Sequence, residues 1–284
     1  SRTALLRHYH AVGYTARRGQ VDLVGHSMGG LVIAGYLQRT AGKRVRRVAT
    51  LGTPFRGSFE AALKVVTGQG ELPGESASRE REAARLTPSL YHLLPRYRGA
   101  VTADPGLGVD LFRAATWQAS VVRTLAEQIR MHGLEGAGHD ADALLPAARE
   151  LLQRLLTQAS EHRTRVGRLG LSAVGFTKDD WLAVVGLGEE TRVHLHITVG
   201  PDGGPWFDLR SGDRKNGYPS GSAGRHDAPP ARPVDTGDGT VPYEAAVPSF
   251  LGPENMVGLT SADFGYWELR DRLLARGVAG RHAS

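Results

Sequence analysis

Residues 21–30 read Val-Asp-Leu-Val-Gly-His-Ser-Met-Gly-Gly, an apolar run that leads into a glycine-rich turn with a serine at its apex. After the turn, apolar residues recur at helical spacing: Leu31, Val32, Ile33, Tyr36 and Leu37. This pattern predicts a buried strand, a sharp turn and a helix. The G-x-S-x-G spacing is typical of a nucleophile elbow, where the backbone is strained and only small residues fit beside the serine. Ser27 is therefore a candidate nucleophile; the alternative is a structural turn with an incidental serine.

The next apolar run indicates the fold class. Val45 to Leu51 has the composition of a buried strand, and Gly52-Thr-Pro54 closes it with turn-forming residues. Two buried strands with one helix between them predict a parallel pair joined by a crossover. We therefore expect an α/β fold with a mostly parallel sheet.

The rest of the chain changes character twice. From about Ser58 to Arg168 it has helical patterns, clearest over 111–131 and 141–162, and no convincing strand. The alternating segment Arg192 to Val199 then predicts that the sheet resumes. We expect an α/β core from residues 1–57 and 169–284, with residues 58–168 inserted as a helical cap.

Smaller elements complete this reading. Helices are predicted at Leu5 to Tyr14 and Tyr266 to Leu274, a strand at Asn255 to Thr260, and an exposed loop at Asp208 to Asp235.

Composition excludes several classes of function. The chain of 284 residues has no cysteine, which rules out disulfides, thiolate catalysis and cysteine-ligated metals. No stretch approaches 18 apolar residues, so no membrane span is expected. The net charge is +6, but the arginines are scattered among glutamates, which argues against nucleic acid as a partner and leaves a weak attraction to acidic lipid surfaces. Oligomeric state and compartment stay open, with a lean toward the cytoplasm.

A nucleophilic serine needs an acid and a base. In chains with this elbow the order is serine, acid, histidine. The segment Asp235-Thr-Gly-Asp-Gly-Thr-Val-Pro242 is turn-forming and contains the best acid, Asp238, with Asp235 as second choice. The alternative is a structural turn whose carboxylate binds backbone amides.

The base follows from counting. His282 is the one histidine after Asp238, so it is the predicted base; the alternative is a frayed residue near the end of the chain. His26 is expected to pack below the turn. His194 and His196 share one face of a predicted strand, but no carboxylate at metal-binding spacing stands beside them in the sequence. We predict neither a metal nor a cofactor.

Four motifs in order carry a family resemblance: Gly25-His-Ser-Met-Gly-Gly-Leu-Val32, Thr50-Leu-Gly-Thr-Pro-Phe-Arg-Gly-Ser58, Pro88-Ser-Leu-Tyr-His-Leu-Leu-Pro95 and Gly237-Asp-Gly-Thr-Val-Pro242. Together they resemble the lecithin:cholesterol acyltransferase-like family. The resemblance implies an α/β-hydrolase fold with a helical cap, and an acyl-serine enzyme: a lipase, phospholipase or O-acyltransferase acting on a lipid or other carboxylic ester. It implies Ser27 as nucleophile, Asp238 as acid and His282 as the late histidine.

The chain also departs from that family. The fold normally places several strands and an oxyanion loop before the elbow, whereas 20 residues precede Val21 here. The backbone N–H of Met28 supplies a first oxyanion donor, and the loop for a second is missing. We therefore expect the N-terminal strands to be missing and the chain to be part of a longer protein. The alternative function is a non-catalytic remnant or binding module without a complete oxyanion hole.

Overall fold

The computed structural model describes residues 4, 7, 8, 20–68, 77–133, 140–189, 191–207, 237–260 and 263. The strands within these residues are β1 (Val21–His26), β2 (Val45–Leu51), β3 (Val101–Ala103), β4 (Trp181–Gly186), β5 (Leu195–Val199), β6 (Pro205–Phe207) and β7 (Met256–Leu259). The α-helices are α1 (Gly29–Thr40), α2 (Phe59–Thr67), α3 (Ala77–Leu86), α4 (Pro88–Tyr91), α5 (Ala119–His132), α6 (Leu145–Gly167) and α7 (Tyr243–Ala246).

The larger sheet is the α/β part of the fold. Its four strands lie in the order β1-β2-β4-β7, and each neighbouring pair is parallel. The predicted parallel pair of β1 and β2, joined by α1, is confirmed. Because all four strands run the same way, their carboxyl ends meet at one edge, and Ser27 directly follows one of them.

The third strand of this sheet, β4, lies where the sequence analysis names no strand. Its Trp181 and Ala183 are buried, while Leu182 between them is 41% exposed, so one face of β4 packs against the core and the other is open. The indole Nε1 of Trp181 donates a 3.3 Å hydrogen bond to Thr50 Oγ1 on β2. The predicted last strand is confirmed as β7, next to β4.

A second sheet corrects one expectation. The alternating segment does form a strand, β5, but β5 does not continue the larger sheet. It pairs in parallel with β3 and antiparallel with β6. β3 lies inside the region 58–168 that was expected to be helical, and its pairing with β5 joins that region to the segment that follows it.

The helices between β2 and β4 enclose the larger of two main cores. The predicted helices at 111–131 and 141–162 are observed as α5 and α6, shifted toward higher residue numbers. The shift arises because Leu111 to Trp117 forms turns that bury the Trp117 ring, whose Nε1 donates a 2.8 Å hydrogen bond to Leu111 O. None of the described helices is long and apolar enough to cross a membrane.

The second core lies between α1 and the larger sheet. Leu31, Ala34 and Leu37 of α1 are at most 2% exposed and share one face, whereas Val32 on the opposite face is 63% exposed. Phe55 and Trp181 close this core from the sheet side, with ring centroids 6.3 Å apart. This packing holds the elbow at the edge of the sheet.

Three predicted elements fall mainly outside the described residues. They are the helix at Leu5 to Tyr14, of which Arg7 and His8 are described and helical, the loop at Asp208 to Asp235, and the helix at Tyr266 to Leu274.

Candidate active site

Ser27 occupies a strained turn between β1 and α1. Its φ is 51°, and the one other described residue with a side chain and a positive φ is Ala41. Backbone hydrogen bonds fix this turn: Ser27 N donates to Leu51 O at 2.8 Å, and Gly30 N donates to Ser27 O at 3.2 Å. The geometry is that of the elbow expected from the sequence.

Two of the three flanking glycines are required by crowding. A Cβ at Gly25 would lie 2.8 Å from Gly30 N, and one at Gly30 would lie 2.6 Å from Thr53 Cγ2. A Cβ at Gly29 would meet nothing within 4 Å. Crowding thus explains the need for glycine at positions 25 and 30 but not at position 29.

Asp238 lies over the carboxyl ends of β2 and β4. A Cβ at Gly186, the last residue of β4, would lie 2.5 Å from Asp238 Cβ, and a Cβ at Gly52, which follows β2, would lie 3.0 Å from Asp238 Oδ2. The structure therefore brings this exposed carboxylate to the same sheet edge as Ser27.

The carboxylate is held by its own turn. Asp238 Oδ1 accepts hydrogen bonds from the backbone N–H groups of Thr240 at 2.9 Å and Val241 at 2.7 Å. This is the turn that the sequence analysis gave as the structural alternative. It uses Oδ1, while Oδ2 is directed toward Gly52. One oxygen thus fixes the side chain, and the other lies toward the sheet edge.

Three of the motifs are bonded to one another. Ser58 Oγ donates to Thr240 O at 2.5 Å, and Ser58 N donates to Leu93 O at 2.7 Å. Arg56 Nη1 forms a 2.7 Å ion pair with Glu244. The segment after β2 is therefore hydrogen-bonded both to the turn that holds Asp238, residues 237–242, and to the chain after α4.

Met28 lies in the position expected of an oxyanion donor. It is the residue after the nucleophile and the N-cap of α1, with helical φ and ψ of −55° and −22°. N–H groups in the first turn of a helix have no intrahelical acceptor, and the helix dipole makes this end positive. The positive end of α1 therefore lies next to Ser27.

The candidate base, His282, and the second-choice acid, Asp235, fall outside the described residues. His26 is exposed rather than packed below the turn as expected, because it ends β1 at the solvent-facing edge.

His194 and His196 point to Thr102 across the second sheet. The hydroxyl of Thr102 lies 2.9 Å from His194 Nε2 and 2.7 Å from His196 Nδ1, and His196 Nε2 lies 3.0 Å from Asp104 Oδ1. These contacts link the two histidines, at the start of β5, to Thr102 of β3 and to Asp104 directly after it. Among the described residues, no cluster of three or more histidine or acidic side chains is arranged for a metal ion.

The parallel sheet and the elbow at its edge define an α/β-hydrolase-type fold. Residues 6–120 match the model of the lecithin:cholesterol acyltransferase family, which confirms the resemblance indicated by the motifs. Asp238 and His282 lie outside this match.

Solved structures give the same fold. A chain in the crystal structure of the Tle4–Tli4 complex superposes with a TM-score of 0.62 at 18% identity, over 93% of this chain and 57% of that one. The present chain thus spans little more than half the length of that neighbour. A search of curated proteins finds no match.

Proposed function

We propose that the chain is a serine enzyme that hydrolyses lipid or other carboxylic esters, or transfers their acyl group to an alcohol. The family match supports an ester hydrolase or acyltransferase at a coarse level. The observation that carries the finer proposal is the strained Ser27 at the sheet edge where Asp238 also lies. The proposed groups are Ser27 as nucleophile, His282 as base, Asp238 as acid and the Met28 N–H as oxyanion donor.

The proposed reaction has two halves. Ser27 Oγ attacks the ester carbonyl while His282 accepts its proton, and the Met28 N–H stabilises the oxyanion. The alcohol leaves with the proton held by His282, and the acyl group stays on Ser27. Water or a second alcohol then gives its proton to His282 and attacks the acyl-serine. The bond between the acyl carbon and Ser27 Oγ breaks, Ser27 takes the proton back from His282, and an acid or a new ester is released.

The nucleophile is tested by Ser27→Ala in the full-length protein. We expect hydrolysis of a short and a long acyl ester to fall at least about a thousandfold, because no acyl-enzyme can form. A fluorophosphonate probe should label the wild-type protein and not the variant. Equal activity in the two proteins would refute the assignment. Failure of the probe to label folded wild-type protein would favour the non-catalytic alternative.

The role of Asp238 is tested by comparing two substitutions. Asp238→Asn keeps an oxygen that can accept from the turn amides but loses the charge, so we expect normal stability with activity reduced about a hundredfold or more. Asp238→Ala should lose activity and also about 1–2 kcal/mol of unfolding free energy, because both turn hydrogen bonds disappear. An active Asp238→Asn protein would assign this carboxylate to the turn alone.

Product analysis distinguishes hydrolysis from acyl transfer. With a competing alcohol present, a transferase yields the new ester at the expense of free acid, while a hydrolase yields mainly acid. Either product passes through the same acyl-serine.

A further inference from the structure

A basic cavity lies between the segment after β2, the end of α6 and the segment after α7. It has a volume of about 290 Å³, and four of its lining residues are arginines: Arg56, Arg96, Arg163 and Arg168. None of the lining residues is acidic. We call this site the arginine cavity.

Arg163 is the most unusual of these residues because its charge is buried. Its side chain lies on α6, the residue is 6% exposed, and its Nη1 donates a 2.9 Å hydrogen bond to Pro54 O. Burial, together with the smaller effect of the nearby positive charge of Arg96, lowers the pKa of Arg163 to about 10. No described carboxylate forms an ion pair with it. A buried cation without an anionic partner is costly, so the site favours an anion.

The other arginines leave the cavity strongly positive. Arg56 forms an ion pair with Glu244, which is the one described carboxylate bound to the set. Arg96 Nη1 donates to the hydroxyls of Ser160 at 3.1 Å and Thr164 at 3.0 Å, which orient the guanidinium without neutralising it. The four arginines of the cavity thus have one described carboxylate, Glu244, as an ion-pair partner.

The walls of the cavity are built before any ligand arrives. Arg96 N donates to Arg56 O at 2.7 Å, so two arginine backbones are bonded to each other. On the opposite side, Ser249 Oγ donates to Gly167 O at 2.8 Å, which ties the segment after α7 to the end of α6. The guanidinium groups of Arg163 and Arg96 are already hydrogen-bonded, so they lose little entropy when they bind a ligand.

The cavity is also close to the candidate active site. Arg56 is four residues after Gly52, the residue that borders Asp238. Four residues of chain span at most about 14 Å, so a group bound here lies within reach of an ester at the sheet edge.

We propose that the arginine cavity binds a phosphate group, either on an ester substrate or as free phosphate. Guanidinium groups bind phosphate oxygens through paired hydrogen bonds, and a phosphate has enough oxygens and charge to contact several at once. The ester-substrate version rests on the proposed function, whereas the binding site itself does not.

Phosphate binding is measured first, by calorimetry and by thermal unfolding of the full chain with inorganic phosphate at constant ionic strength. We expect a saturable rise in melting temperature, with affinity at least tenfold weaker in Arg163→Met and in Arg96→Gln. Two variants are used because replacing a buried residue can itself impair folding. The matched control is Arg165→Gln on α6, an exposed arginine that does not line the cavity, and its affinity should stay within twofold. Absence of saturable binding, or equal loss in Arg165→Gln, would overturn the proposal.

Kinetics then identify the source of the phosphate. If a substrate carries it, Arg96→Gln should raise KM at least tenfold for a short-chain diacyl phosphate ester and leave KM for the matched neutral ester unchanged. If both KM values stay unchanged while inorganic phosphate binds, free phosphate is the ligand. Phosphate binding in a protein without esterase activity would refute the proposed function and leave the arginine cavity intact.

Discussion

Residue 30 lies where the first turn of α1 crosses the segment after β2. A Cβ added to Gly30 would come within 2.8 Å of Thr53 Cβ, whereas one added to Gly29 would meet nothing within 4 Å. We expect Gly30→Ala to lower the unfolding free energy by about 1–3 kcal/mol through overpacking. Gly29→Ala should raise it by about 0.5–1 kcal/mol, because alanine is the better helix former. Urea unfolding of both variants tests this, and similar effects at the two positions would contradict it.

The residues of the elbow could be predicted because its geometry depends only on residues that are neighbours in the sequence. The elbow around Ser27 follows from glycine spacing and a strand before it, and both are visible in ten letters of sequence. The buried Arg163 was not predictable, since on a helix it resembles the exposed Arg165 two residues later. Only the packing of α6 against the segment after β2 separates the two.

Among the elements, α2 and α5 are joined by one buried side chain. Arg85 is 4% exposed, and its guanidinium donates to Val65 O at 2.9 Å, Ser120 O at 2.9 Å and Thr124 Oγ1 at 2.7 Å. Burial lowers its pKa to about 10, so it stays charged at neutral pH. We expect Arg85→Lys to cost about 2–4 kcal/mol, because an ammonium group cannot span the same acceptors. Arg123→Lys on the exposed face of α5 should change the unfolding free energy by less than about 0.5 kcal/mol; an equal effect would refute the role of Arg85.

Two histidines, His92 at the end of α4 and His162 on α6, are expected to make the contact between these helices sensitive to pH. The rings of His92 and His162 are 5.0 Å apart, and burial, followed by nearby positive groups, holds both pKa values below the ordinary 6.5. The unfolded chain therefore binds protons more readily as the pH falls through about 6.5, so stability decreases toward acid and is regained above that pH.

The pH dependence is tested with a double substitution. The melting temperature should fall between about pH 7.5 and 5.5, and less steeply in His92→Gln/His162→Gln. His132→Gln, at the exposed end of α5, should keep the wild-type slope. An unchanged slope in the double variant would exclude the pair as the cause.

Strand pairing was the least predictable feature of the elements. The alternation in β5 indicates a strand, but not that its partner is β3, nearly a hundred residues earlier. β4 was not predicted, because a continuous apolar run of six residues has no period that distinguishes a buried strand from a helical segment. The division into a core and a cap at 58–168 stays a prediction, since β3 and β5 join both parts in one sheet.

For the whole molecule, α6 connects the two main cores. It has 23 residues, or about 35 Å of helix; its Leu152 and Leu156 are buried in the helical core, and its Val166 is buried in the core against the larger sheet. A rigid element shared by two cores couples their unfolding.

We therefore expect one cooperative unfolding transition. Leu156→Ala should lower the unfolding free energy by about 2–5 kcal/mol, and Val166→Ala should shift the same calorimetric peak. Gln158→Ala, on the exposed face of α6, is the control. Two separate peaks, with each variant moving only one, would show that the cores unfold independently.

The strain at Ser27 can be compared with the strain at Ala41. Ser27 and Ala41 both have φ of 51°, and this conformation costs a side-chain-bearing residue about 1 kcal/mol or more. We expect Ser27→Gly and Ala41→Gly to raise the unfolding free energy by similar amounts, about 0.5–1 kcal/mol, while only Ser27→Gly abolishes ester turnover. A loss of stability in Ser27→Gly would show that the turn is not strained.

The strain in this turn also bears on which residue evolution keeps at position 27. Selection for a durable fold alone would favour glycine at position 27, because a single substitution removes the strain. Under the proposed function, position 27 gives up the stability that glycine would supply and keeps a hydroxyl at the sheet edge, whereas Ala41 carries the same backbone strain with no hydroxyl to keep.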